Sequence, residues 1–520
     1  MDGASSSTPK PKQLKTTTSG EMLSLLNDDL LHNILARLPA PSFAAAACVS
    51  KSWSHVCTLI LSRPKLASAL SLNPNLQVAW EEITQKVLAE PIRPHFIIAN
   101  VGSGARLIAV HNLILEKFGC GVPFVVSVVG GVLGRDVANC EIKEVQWDYV
   151  SGDVSEEEGD VPAEDGSYGL LLTVGFVPGL KVEAIPLLST SAYEHQNVFM
   201  DAFLADIKDY TASVSDCGAP VGIIMFGDGC NNMRPVVDAL DYAMPKETII
   251  VGDEKGRFLY KSENESRNIY GSAKFISVAV ALVFARDKEN SCGDIQFHIA
   301  LSEGVSTVGP KHKAVSVRAT ASDSTWLTAR REGNREILDG QRILDDINDE
   351  LQDHTDSSDL YIGVKKRRSI STGSKKRRLV TSLDFHGVTG GDEEYLYVND
   401  VGIKTGDYFH FYRPDPQTAL SSSADLSVSL KNVNLGEVFG GFIFACCGRG
   451  ESFFGRVNVD SSPFVENFPG VPLGGVFCGG EIGRGSSMLT KEAQKDCKCI
   501  LHVYSTIYLV LSYTPAVLDH

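Results

Sequence analysis

Arg449 and Glu481 each sit inside a glycine-rich turn, Cys446-Cys447-Gly448-Arg449-Gly450 and Gly479-Gly480-Glu481-Ile482-Gly483. A guanidinium fork and a carboxylate presented on such turns could bind a zwitterionic small molecule, because glycine lets backbone approach a ligand closely. The same pair could instead brace the two turns against each other, and both readings stay open at this point. Cys447, followed by Gly448 and Arg449 in a tight turn, is a candidate oxidant-sensing thiol if its pKa is lowered there, and an inert buried thiol if it is not.

Other motifs carry less chemistry. Asn100-Val101-Gly102-Ser103-Gly104 lies between a strand-like and a helix-like segment, where glycine turns cradle phosphates. Position 107 is leucine rather than a third glycine and no Gly-Lys-Ser/Thr follows, so a plain tight turn is expected. The cysteine pairs Cys446-Cys447 and Cys497-x-Cys499 are spaced unlike the ligands of structural zinc sites, and no metal or cofactor is expected. No nucleophile, base and orienting group fall into a known catalytic arrangement, so a catalytic role is not expected either, and no catalytic residue is assigned.

Two charge runs stand out. Between Gly152 and Gly166 lie seven carboxylates and no basic residue, which reads as an exposed, self-repelling loop. The run from Lys365 to Arg378, KKRRSISTGSKKRR, holds eight basic residues: Lys365, Lys366, Arg367, Arg368, Lys375, Lys376, Arg377 and Arg378. In a chain of net charge −16 it is expected to be solvent-exposed, and it resembles a bipartite nuclear-import signal. Phosphorylation of Ser369 or Ser371 would offset that charge.

The bulk numbers frame these sites. A chain of 520 residues exceeds what one core usually organises, and 43% hydrophobic with 22% charged residues is an ordinary globular composition. The net negative charge disfavours nucleic acid as a partner, and no apolar stretch is long enough to span a bilayer. Residues 1–21 are polar, lack a secretory h-region and read as a disordered tail. Twelve scattered cysteines without a secretion signal point to reduced thiols, hence to nucleus or cytoplasm.

The elements that must carry these residues follow from periodicity. Asn27-Asp28-Asp29 caps a helix whose Leu30, Ile34 and Leu38 recur at four-residue spacing beside Leu31 and Leu35. Pro39 and Pro41 break it, and a second helix is predicted from Ser42 to Val56 with Val49, Trp53 and Val56 on one side. A hairpin of about forty residues buries too little surface to stand alone, so part of its apolar face is expected to serve a partner. A helical lid on the following domain is the alternative. A spacer helix is predicted over 75–89, and LSLNPN is a single leucine-rich-repeat-like fragment without a repeat period. Beyond Pro94, strands at 96–99, 124–129, 168–176, 221–226, 248–251 and 276–284 alternate with helices at 106–117, 197–212 and 233–243, which is an α/β pattern.

The segment LLNDDLLHNILARLPAPSFAAAACVSKSWSHV resembles an F-box, with Leu26, the Leu30-Leu31 and Ile34-Leu35 pairs, Leu38-Pro39 and Cys48 to Trp53 in place, and Asn27 where the family has proline. F-boxes bind the small Skp-type adaptor of cullin-RING ubiquitin ligases. The resemblance therefore implies that Leu26, Leu30, Leu31, Ile34, Leu35 and Pro39 contribute to that interface, some of them facing the domain's own core instead. GGFIFACCGRGESFFGR, PGVPLGGVFCGGEIGRG and LHVYSTIYLVL resemble the C-terminal FIST (F-box and intracellular signal transduction) domain, through Cys446 to Gly450, Phe454-Gly455, Gly479 to Gly483 and His502. Residues 96–300 then resemble the N-terminal FIST half, with Gly130 to Gly134 as its counterpart turn. The resemblance implies a candidate ligand or client site at Cys447, Gly448, Arg449, Gly480, Glu481 and His502.

The expected fold is α+β, a small all-α F-box hairpin followed by a large mixed α/β two-part FIST body with extensive β-sheet. The expected boundaries are F-box 22–65, helical linker 66–93, N-terminal FIST half 94–300 and C-terminal FIST half 309–515 with a basic insertion at 363–380. The resemblance implies a non-catalytic substrate receptor of an SCF-type ligase, partnered by a Skp-type adaptor and a client protein of unknown identity. A small-molecule sensor whose F-box controls its own turnover is the alternative.

Overall fold

The computed structural model describes residues 28–102, 106–147, 168–190, 198–230, 232–262, 275–290, 293–320, 324–351, 359–371, 377–399, 401–484 and 498–516. Leu26, Asn27, the acidic run 152–166, Ser103-Gly104 and Lys375-Lys376 lie outside them. The chain divides into two units, residues up to Ser62 with Leu88–Pro91, and Arg63–Val87 with everything from Ile92 onward.

The first unit holds α1 (Asp28–Leu35), α2 (Ala40–Ala47) and α3 (Lys51–Ile60). The predicted single helix over 42–56 is two helices. α2 ends at Cys48, and Ser50, in extended conformation, accepts a hydrogen bond from the Trp53 amide at 3.2 Å to start α3. Leu31, Leu35, Phe43, Ala46, Val56 and Cys57 form its small core. Leu88 joins this unit, its carbonyl accepting from the Ala40 amide.

The second unit opens with β1 (Lys65–Ser71) and α4 (Leu76–Val87). The expected helical linker is thus corrected: β1 pairs in register with a later strand from Lys65↔Phe176 to Ser71↔Leu170, and the helix belongs to the body. An otherwise open sheet edge gains a partner by this addition, a reason no local pattern in KLASALS announces.

Then follow β2 (Phe96–Val101), α5 (Leu107–Phe118), β3 (Phe124–Val128), β4 (Gly131–Arg135), β5 (Ile142–Gln146), β6 (Leu170–Phe176), β7 (Leu180–Thr190), α6 (Met200–Val214), β8 (Gly222–Gly227), α7 (Arg234–Ala243), β9 (Ile249–Asp253), β10 (Phe258–Lys261), β11 (Phe275–Arg286) and β12 (Asp294–Ser302). Next come β13 (Val305–Ala319), β14 (Ser324–Arg331), α8 (Gly340–Glu350), β15 (Tyr361–Ser371), β16 (Arg377–Gly391), β17 (Leu396–Asn399) and β18 (Tyr408–Pro414). The chain closes with α9 (Pro416–Asn432), β19 (Glu437–Cys446), α10 (Glu451–Phe454), α11 (Ser462–Asn467), β20 (Leu473–Cys478), β21 (Glu481–Arg484), β22 (Cys499–Leu501) and β23 (Thr506–Thr514).

These strands build three sheets, β1-β6-β2-β3-β10, β22-β21-β9-β8-β11-β7 and β12-β23-β19-β20-β4-β5, and a closed barrel β13-β14-β17-β16-β15-β18. One apolar core, including Phe96, Phe284, Phe297, Phe442 and Leu509, draws on all three sheets. Helices α6 and α7 cover the outer face of the second sheet, and α9 and α11 that of the third. The two expected FIST halves are not separate sheets: β4 and β5 pair into the sheet of β19, β20 and β23, while β21 and β22 join that of β9. Strand β7 has no counterpart in the sequence reading because Pro186 interrupts it. As an edge strand it tolerates proline, which cannot donate to a ladder.

The expected basic insertion is corrected too. Residues 361–371 and 377–391 are paired barrel strands, from Tyr361↔Gly387 to Ser371↔Arg377. The uninterrupted charge of KKRR hides a strand because it lacks the apolar alternation by which strands are recognised.

Candidate functional site

In the first unit, α1 presents two stripes. Leu31 and Leu35 are 3% and 0% exposed and hold the unit's core, whereas Leu30 and Ile34 are 51% and 45% exposed. The four-residue spacing puts each pair one turn apart on neighbouring lines of the helix, so a single sequence stripe resolves into an inward and an outward one. Pro39, at the N-cap of α2, is exposed beside the outward stripe in sequence. Val49 and Leu59 are exposed large apolar residues that sequence reading did not select. Val49 had been expected alongside Trp53 and Val56, but the new helix start at Ser50 takes it off that face.

The second candidate site is assembled from strand ends. Three parallel pairs, β2–β3, β8–β9 and β19–β20, each close around a helix or helical segment, and ligand sites in α/β sheets form beyond the carboxyl ends of such strands. Cys446 ends β19, Cys478 ends β20 and Asp253 ends β9. Backbone bonds stitch these ends together: Cys447 N to the Cys478 carbonyl at 2.8 Å, Cys446 N to the Ser505 carbonyl at 2.9 Å and Glu254 N to the Gly480 carbonyl at 2.8 Å. At Gly448 the turn passes close to Tyr504, whose ring a Cβ would approach to 2.7 Å.

Titratable groups at different depths surround this turn. Cys447 is exposed and Cys446 half-buried. The Cys446 thiol is hydrogen-bonded to the Cys447 sulfur, which, with Lys255 nearby, lowers the Cys447 pKa to about 7, while the same bond and burial raise Cys446. Burial raises the Glu481 carboxyl well above the carboxylate range. Its Oε2 accepts from Ser505 Oγ at 3.0 Å, and its buried Oε1 has no hydrogen-bond partner. Burial lifts Asp253 to about 8 although its Oδ1 accepts from the amides of Lys255 and Gly479. His502 Nε2 bonds the Gly483 carbonyl at 3.0 Å, and burial lowers its pKa to about 4, so it is a neutral structural imidazole at neutral pH. A small cavity of about 20 Å³, lined by Asn100, Ser127, Asp253, Phe226 and Phe444 among others, has room for about one water. A notch of about 390 Å³ lies beside the turn, lined by Glu144, Gln146, Gly450, Glu451 and Phe477 among others.

Arg449 is not available to a ligand. It is wholly buried, with Nε and Nη2 forked onto Asp460 at 3.1 and 2.7 Å, Nη1 on the Tyr504 carbonyl at 3.0 Å and Nη2 on Ser302 Oγ at 3.3 Å. Neither of the two readings of an Arg449–Glu481 pair survives: both side chains flank one turn, but each is held by other partners. Sequence reading missed Asp253, Lys255, Cys478, Asp460 and Tyr504. The run TIIVGD, a carboxylate ending an apolar strand, was the available signal for Asp253, and nothing local marks Tyr504, whose φ of 47° is left-handed.

Of the basic run, Lys365 is exposed but Lys366 is not, which corrects the expected full exposure. Lys366 Nζ donates to the Gly402 carbonyl at 2.8 Å and lies 3.5 Å from Asp384, which Lys498 also approaches at 3.8 Å. Arg367, Arg368, Arg377 and Arg378 lie on the strands, and their side chains are outside the description, as are Lys375 and Lys376.

Comparison with known proteins follows this division. The F-box domain family matches residues 23–63 and the FIST C domain family residues 387–484. The F-box/LRR-repeat protein At5g63520 of Arabidopsis thaliana is 44% identical over 517 residues, 97% of this chain and 96% of its own length. The F-box only protein 22 of Homo sapiens and that of Pongo abelii are each 38% identical over 77 residues, 14% of this chain and 19% of theirs. The leucine-rich-repeat part of the Arabidopsis name has no repeat stack to match among the described residues, where LSLNPN begins as the end of β1. On the near-full-length match and the two domain matches together, the chain belongs to the F-box protein family.

Proposed function

We propose that the chain is the substrate receptor of an SCF-type ubiquitin ligase. Its F-box docks the Skp-type adaptor through Leu30, Ile34 and Pro39, joined by Leu26, while the FIST-containing body recruits a client protein. Leu31 and Leu35 serve the interface indirectly, by holding α1 in place. The observation that carries the reading is the outward stripe: Leu30 and Ile34 stay exposed on a unit whose own core is complete without them. Large apolar side chains left together on a surface mark a docking site. Ubiquitin transfer is done by the partners in this reading. The proposal sets the receptor in the nucleus or cytoplasm, on the composition grounds given above.

The test is to compare ubiquitylated proteins in cells that carry the full chain with those in cells that carry a chain lacking residues 22–62. The receptor reading expects a set of proteins that loses ubiquitin and gains abundance on the deletion, and that is labelled by a proximity enzyme fused to either form. An unchanged set would count against it and favour a ligand sensor acting outside a ligase.

A further inference from the structure

We propose that Cys446 and Cys447 form a redox-sensitive dithiol that hydroperoxides convert to a vicinal disulfide at the strand-end turn. The two thiols are sequence neighbours, their sulfurs are hydrogen-bonded to each other, and they occupy different depths, Cys447 exposed and Cys446 half-buried behind it. That is the layout of an attacking thiol with its resolving partner already in place.

The groups around the pair favour attack at Cys447. Its thiolate is accessible near neutral pH, held by the Cys446 hydrogen bond and by the Lys255 ammonium. Burial raises Asp253, Glu481 and Cys478 around the pair, which favours their neutral forms and limits repulsion of the developing charge, while Asp359 opposes it. The Cys447 thiolate attacks the outer oxygen of the hydroperoxide, the O–O bond breaks, and the departing alkoxide or hydroxide takes a proton to leave as alcohol or water. Cys447 is then a sulfenic acid. The Cys446 thiol attacks that sulfur, the S–O bond breaks, and water leaves with the Cys446 proton. In sum, two thiols lose two electrons and two protons to one hydroperoxide.

Adjacent Cα atoms stand about 3.8 Å apart, closer than the roughly 4.4–6.8 Å of ordinary disulfides, so the ring is strained and readily reduced. Forming it must twist the Cys446–Cys447 peptide, whose amides are pinned to Ser505 and Cys478 and whose turn continues into Gly448 and Arg449. The consequence is a reversible displacement of the rim of the strand-end site.

The test uses the full-length protein, reduced and then exposed to a small excess of hydrogen peroxide, with remaining thiols alkylated and peptides weighed. The expected result is a Cys446–Cys447 peptide lighter by two hydrogens, formed more than about tenfold faster than Cys120 or Cys217 oxidises, and restored by dithiothreitol. Cys446→Ser should instead leave a sulfenic acid at Cys447 that dimedone traps, and Cys447→Ser should abolish the fast phase. Cys478→Ser should change neither. Oxidation of Cys447 no faster than of Cys120, or a Cys446–Cys478 crosslink in place of the vicinal one, would overturn the proposal.

Discussion

Glu481 stands directly opposite Asp253 in the antiparallel pairing of β21 with β9, so two buried carboxyls share one face of a sheet at the strand-end site. Like charges opposite each other destabilise a sheet, and here burial keeps both groups protonated far above the usual carboxylate range.

That relationship fixes a pH dependence. The native state holds the Asp253 proton up to about pH 8, whereas the unfolded chain releases it near pH 4, so between those values unfolding releases a proton. Stability from this group therefore falls as pH rises from about 4 to about 8 and is level above. Asp253→Asn keeps the Oδ1 acceptor for the Lys255 and Gly479 amides and carries no charge. It is expected to raise the melting temperature by a few degrees at pH 8.5 and by less at pH 5.5, measured by scanning calorimetry. A lower melting temperature at pH 8.5 would contradict the assignment.

Arg449 and Asp460 form an ion pair with both side chains fully buried, supported by Thr506 Oγ1 on Asp460 at 2.8 Å. Arg449→Ala leaves an uncompensated buried carboxylate and should cost about 3–5 kcal/mol in urea unfolding. Adding Asp460→Asn should return part of that loss, because the stranded charge is gone. If the double variant is no more stable than Arg449→Ala, the cost arises from packing and the ion-pair account fails.

His312 lies inside the barrel, its ring stacked on Phe409 and edge-on to Phe411, with neither ring nitrogen hydrogen-bonded. Burial lowers its pKa to about 4. The unfolded chain binds the extra proton below about 6.5, so this histidine removes stability as pH falls from about 6.5 to about 4. His312→Phe should add about 1 kcal/mol at pH 7 by removing unpaired polar atoms, and more at pH 5. An equal gain at both values would show that the imidazole is not buried neutral.

How much of this was legible beforehand varies with the range of the interactions. The helix over Asp28–Leu35 and the glycine turn at 448–450 were legible because local propensity and tertiary role agree there, whereas of the run 479–483 only Gly479-Gly480 precede the strand that Glu481 opens. The split of α1 into an inward Leu31–Leu35 and an outward Leu30–Ile34 stripe was not, since both lines are equally apolar and only packing against Phe43 and Val56 separates them. Arg449 looked like a ligand-binding fork because its partner Asp460 is eleven residues away with no periodic link to it. β1 and the barrel hairpin at 361–391 escaped for the same reason: a strand is completed by a distant neighbour, and KLASALS and KKRRSIS carry no apolar alternation of their own.

The adaptor interface proposed for the outward stripe of α1 is tested by the affinity of the purified full chain for a Skp-type adaptor. Leu30→Ala with Ile34→Ala should weaken binding by more than about 100-fold while helical circular dichroism and the melting temperature stay near those of the unaltered chain. An affinity within about threefold of the unaltered chain would contradict this, since two central apolar anchors of an interface cost far more than that when truncated together.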